Sequence, residues 1–66
     1  MTRDQWLNKC AERLRDKARM EPGEAAAYAN MLHEQQVSDN GRDPAKWDDP
    51  VDAADEEISL MSDDGD

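Results

Sequence analysis

Phenylalanine is missing from this 66-residue chain, and two tryptophans and one tyrosine are its only aromatics. So few large rings exclude a thick hydrophobic core, and one small domain is the most the chain can build. A single cysteine, Cys10, excludes an intramolecular disulfide and with it a secreted, disulfide-stapled scaffold. The expected setting is therefore the reducing cytoplasm. No apolar run approaches the roughly 20 residues needed to span a bilayer, and the N-terminus lacks the apolar stretch of a secretory signal, so no membrane partner is expected. Base is scarce where acid is dense: residues 38–66 hold two bases, Arg42 and Lys46, against eleven acids, and the whole net charge of −9 lies there. That sign of charge argues against nucleic acid and anionic lipid as direct partners and permits a basic protein surface.

Glycine and proline number three each, so chain breaks are few and easy to place. Thr2-Arg3-Asp4-Gln5 fits a capping box, with Thr2 as N-cap and Gln5 reaching back. Trp6, Leu7, Cys10, Ala11, Leu14 and Ala18 then fall on one arc of roughly 140° at helical spacing, which predicts a helix from Arg3 to about Met20 with Trp6 in its core face. Glu21-Pro22-Gly23 breaks the pattern, and Pro22 suits the first position of a second helix. That helix is expected to end near Gln36 or Val37, with Ala25, Tyr28, Ala29, Met31 and Leu32 sharing a face. The short connection predicts an antiparallel αα-hairpin. Charge supports the pairing, since residues 1–20 hold six bases against three acids and residues 21–37 hold three acids and no Lys or Arg.

Ser38 to Pro44 reads as a loop, because Asn40-Gly41 and Asp43-Pro44 are breakers. Beyond it lies the most patterned acidic stretch, Trp47 to Asp66. Asp49 can cap a helix and Pro50 can open it. Val51, Ala54, Ile58 and Met61 form an apolar stripe, with Asp52, Asp55, Glu56 and Ser59 facing away. Two readings stand: a short third helix docking on the hairpin, or a partly disordered tail with helical bias. Ser62 to Asp66 is expected to fray. The fold class is thus all-α, with a helical hairpin over 1–37 and an acidic linker plus conditional third helix over 38–66. A hairpin with six alanines and few large residues is under-supported alone; the third segment, a second copy or a partner must complete it.

Candidate chemistry is thin. Cys10 and His33 could pair as nucleophile and base, but Cys10 lies in the apolar arc, His33 lies off the apolar face as a solvated residue, and no oxyanion donor accompanies them. Asp39-Asn40-Gly41 is a fragment of a calcium loop with no closing Glu at the required distance. No metal, no cofactor and no enzymatic activity are expected. Lys9, Arg13 and Lys17 line one side of the first helix, as a short basic stripe for DNA or as partners for acids within the chain. Trp47, beside Asp48 and Asp49, could anchor an interface or cap the small core.

The acidic face offers the sharper reading. Carboxylates at Asp48, Asp49, Asp52, Asp55, Glu56, Asp63 and Asp64 on a rigid helix could imitate phosphates spaced about 3.4 Å along a DNA strand. Trp47, Asp48, Asp49, Asp52, Asp55 and Glu56 are the candidate partner-binding residues. The plain reading is a solvated acidic tail. The opening Thr2-Arg3 with Trp6-Leu7 and Cys10-Ala11, the two-helix body, and the ending Asp52-Ala53-Ala54-Asp55-Glu56-Glu57-Ile58-Ser59 resemble small phage and prophage proteins of uncharacterised function. The resemblance implies a bacterial virus or its host, an intracellular setting and no active-site residues. By analogy of class it brings in inhibitors of restriction and CRISPR systems, which would bind a host protein through the acidic surface. The alternative is a structural or adaptor protein that homodimerises through the hairpin around Trp6, Leu14, Tyr28 and Leu32, its acids only solubilising it.

Overall fold

The computed structural model describes residues 1–61. Three helices form: α1 (Arg3–Ala18), α2 (Pro22–Asn40) and α3 (Pro50–Met61), with a single 3₁₀ turn at Pro44–Lys46 before α3. The predicted fraying of Ser62 to Asp66 falls outside the described residues.

α1 starts on the expected capping box. The Gln5 amide donates to Thr2 Oγ1 at 3.2 Å, and the Thr2 amide donates to Gln5 Oε1 at 2.9 Å. It stops at Ala18, two residues short of the predicted end, because Arg19 turns into the left-handed region (φ 58°, ψ 35°). Such a cap ends a helix and redirects the chain; here it leaves Met20 and Glu21 as the linker into Pro22, which opens α2 as expected. α2 runs three residues beyond Val37. Ser38, Asp39 and Asn40 are poor helix formers, yet each costs only about 0.7 kcal/mol or less against alanine. The true stop is Gly41, whose φ of 87° no helix contains; its amide closes the last turn by donating to the Val37 carbonyl at 2.9 Å.

The returning segment is built around Trp47. Asp43 Oδ1 accepts from the Ala45 amide at 3.1 Å and starts the 3₁₀ turn. The Trp47 indole N–H then donates back to the Gly41 carbonyl at 2.8 Å. Asp49 caps α3 as predicted, its Oδ1 accepting from the Val51 amide at 2.8 Å.

α1 lies between the other two helices, which scarcely meet each other. It runs antiparallel to α2, forming the predicted hairpin, and parallel to α3, since Trp6 meets Asp48 and Arg13 meets Asp55. The body is flat, 36 × 22 × 15 Å. Bulk comes from one stripe of α1, with Trp6, Cys10 and Leu14 at four-residue spacing and nearly inaccessible. Against it the flanking helices set mainly alanines: Ala25 and Ala29 from α2, Ala53 and Ala54 from α3, together with Leu32 and Trp47. Small side chains let neighbouring backbones approach α1, so a thin core is still closed off from solvent.

The face that α3 turns to α1 is broader than the predicted stripe. Pro50, Ala53 and Ala54 are buried, while Val51 and Ile58 are half-buried and Met61 is 42% exposed. The expectation that Asp55 faces away is also corrected: it turns toward α1, where Arg13 holds it. At about 100° per residue Ala53 and Asp55 lie on opposite flanks of the predicted stripe, so the face toward α1 is widened at both edges. The small side chain of Ala53 packs into the core on one flank, and Arg13 holds Asp55 on the other.

Candidate functional site

The acidic half of the chain is fastened to the hairpin by named contacts. The Trp6 indole N–H donates to the Asp48 carbonyl at 2.8 Å. Gln36 of α2 grips the same residue from the other side, its Oε1 accepting from the Asp48 amide at 3.0 Å and its Nε2 donating to Asp48 Oδ2 at 3.3 Å. Further along, Arg13 Nε and Nη2 donate to the two carboxylate oxygens of Asp55 at 2.7 and 3.1 Å, a bidentate fork. The hydrogen bonds from Arg13 hold the Asp55 carboxyl below the ordinary range against partial desolvation, with the charges of Arg13 and Lys17 adding to the effect. The same bond raises the Arg13 guanidinium. Among the described residues the interhelical ion pair therefore joins α1 to α3. The opposite charges of α1 and α2 form no salt bridge with each other there, and part of the basic stripe Lys9, Arg13, Lys17 is used inside the molecule.

The six candidate partner-binding residues separate accordingly. Trp47 sits in the core, 9% exposed. Asp48 and Asp49 are exposed side chains with structural duties, Asp48 toward Gln36 and Asp49 as the α3 cap. Asp55 is engaged by Arg13. Asp52 and Glu56 are exposed on the outer side of α3, one turn apart. Asp63 and Asp64, the far end of the proposed phosphate-like row, lie outside the described residues.

His33 is where the structure corrects the expectation of a solvated residue. It is half-buried, its ring edge-on to Trp47 at 4.8 Å and to Trp6 at 6.3 Å, while the two indoles meet at 5.8 Å. His33 lies off the face of α2 that meets α1, but Trp47, brought back by the Gly41 turn, covers the neighbouring face. Edge-to-face aromatic contacts of this kind add about 0.5–1.5 kcal/mol per pair beyond burial. The cluster is a feature the sequence reading missed; the signal available was an aromatic placed six residues after a glycine that ends a helix.

Cys10 is wholly buried, and its thiol is pushed up to about 11, first by burial and then by the nearby charge of Glu57. A thiol so held stays protonated near neutral pH and is a poor nucleophile. Among the described residues no group of three or more His, Cys, Asp or Glu side chains could hold a metal ion, and no helix is long and apolar enough to cross a membrane. Neither a protein-family model, nor a curated protein, nor a solved structure matches this chain.

Proposed function

We propose that the protein is a small, non-enzymatic binding protein of phage type, which presents the acidic outer side of α3 to a basic surface of a host protein inside the bacterial cell. The observation that carries this reading is the orientation of α3. Its alanines are packed inward, so Asp52 and Glu56 stand outward on a helix that is fixed rather than free, beside the exposed Asp48 and Asp49. From Asp49 to Glu56 the row covers about 10 Å at the helical rise, the length of roughly three phosphate steps on one DNA strand. Such a row suits a surface built to grip nucleic acid, which makes inhibition of a restriction or CRISPR-type protein the specific form of the proposal.

Fixing the carboxylates before binding lowers the entropy lost when they meet their partner. Removing exposed charges of this kind chiefly changes association rate and salt dependence. The test is binding to a panel of basic nucleic-acid-handling proteins across a salt series, with Asp52→Asn/Glu56→Gln as the variant. Asp55 is left alone because it holds α3 in place. The expected result is weaker binding by about tenfold with a shallower salt slope; undiminished binding by the double variant overturns the acidic-face reading.

The adaptor alternative needs an open hairpin face at Trp6, Leu14, Tyr28 and Leu32. One copy already buries Trp6, Leu14 and Leu32 and half-buries Tyr28, so a homodimer would have to form on other residues. Sedimentation equilibrium separates the two readings, a stable dimer favouring the adaptor.

A further inference from the structure

The acidic surface is not the only place built for contact. At the pole where α1 begins and α2 ends, a groove of about 290 Å³ is lined by Arg3, His33, Val37, Arg42, Pro44 and Trp47. Its floor is apolar: the covering indole of Trp47, the His33 ring against it, the half-buried Val37 and the Pro44 ring. Its charged lining residues are both arginines. Arg42 is one of only two bases in residues 38–66. Among the described residues Arg3 is tied only to the adjacent Asp4, at 3.6 Å with both side chains more than half exposed, a contact worth little in water. The groove is thus apolar with a cationic mouth on a protein whose net charge is −9, and that local inversion of sign says what it fits.

We infer that this groove receives a single large apolar side chain of a partner peptide whose neighbouring residues are carboxylates. The volume lies at the lower edge of ligand pockets, which run from about 300 Å³ upward, and so suits one anchor side chain rather than a cofactor. The planar guanidiniums of Arg3 and Arg42 offer paired donors that match carboxylate oxygens. Each arginine is also followed directly in the chain by an acid, Asp4 and Asp43. That arrangement favours a monoanionic carboxylate over a dianionic phosphate, which would meet more repulsion. The inference is independent of the acidic-face reading, since it concerns a different surface and the opposite charge in the partner.

The test uses the full-length protein and a labelled peptide, Gly-Ser-Asp-Leu-Asp-Ser-Gly, followed by two-dimensional NMR of backbone amides and indole N–H groups. The expected result is a saturable shift centred on His33, Val37 and the Trp47 indole. It should weaken at least about tenfold when Arg42→Glu is introduced with an unchanged circular dichroism spectrum, and equally when leucine in the peptide is replaced by alanine or both aspartates by asparagine. Three results overturn it: no saturable shift at millimolar peptide, shifts that survive either peptide change, or shifts at the groove that grow with protein concentration alone, which would make a second copy the occupant. Should Arg42→Glu unfold the protein, Arg42→Gln and the two altered peptides against the unmodified protein decide the same question.

Discussion

Gly41→Ala isolates the turn on which the acidic half is hung. Gly41 has φ 87° and ψ −172°, a region essentially closed to residues with a Cβ, where occupancy costs about 1–3 kcal/mol. A Cβ placed there meets nothing within 4 Å, so crowding contributes nothing and the whole penalty is backbone strain. Alanine also narrows the unfolded ensemble, which offsets about 0.4–1 kcal/mol. The expected net loss is about 1–2 kcal/mol. For a domain of this size that lowers the thermal midpoint by roughly 5–15 °C. If the turn relaxes instead, the Gly41 carbonyl leaves the Trp47 indole N–H, and Trp47 fluorescence should then shift toward the exposed value. Gly23→Ala is the matched control. Gly23 lies in the first turn of α2, again with open space around a Cβ, and its replacement should raise stability by about 0.5 kcal/mol. Thermal and urea unfolding followed by circular dichroism measure both. A Gly41→Ala protein as stable as the original would refute the assigned turn geometry.

Two titrations follow from the perturbed groups. Asp55 has a lowered pKa in the folded protein, so its ion pair contributes fully above the unfolded value of about 3.9 and is lost as pH falls through the lower folded value. Asp55→Asn should therefore be less stable than the original at pH 7, the gap closing below about pH 4 and shrinking in high salt; a pH-independent gap argues against the Arg13 fork. Cys10 has a raised pKa, from 9.0 to about 11. The unfolded thiol ionises first, so stability should fall between pH 9 and 11 by about 1.4 kcal/mol per unit from this group. Cys10→Ala should be less stable at pH 7 and should lack that component of the slope, which urea unfolding across the alkaline range can measure.

The helices were legible because their signals are local. Thr2 with Gln5, Pro22, and the pair Asp49-Pro50 each act within one turn of backbone, the arc from Trp6 to Ala18 acts within one helix, and each element they predict is present. The end of α2 was misplaced because Ser38 to Asn40 carry only a weak preference against helix, while the stop depends on a φ that Gly41 alone can take. The neutralising role of Asp55 was invisible for a different reason. Stripe counting on α3 treats the helix by itself and puts Asp55 on the polar side, whereas Arg13 of α1 engages it on one flank while Ala53 packs on the other.

By itself, the sequence determined that the chain is helical, where its helices begin, that its core is thin, and that its charge is gathered after residue 38. These follow from backbone preference, capping and composition, which need no distant contact. Tertiary structure alone decided which acids are outward and which are spent. Asp52 and Glu56 face solvent, Asp55 is held by Arg13, and His33 is enclosed by Trp6 and Trp47. Those outcomes depend on residues 42 positions apart in the case of Arg13 and Asp55, and only closing the chain over α1 brings such groups within reach of each other.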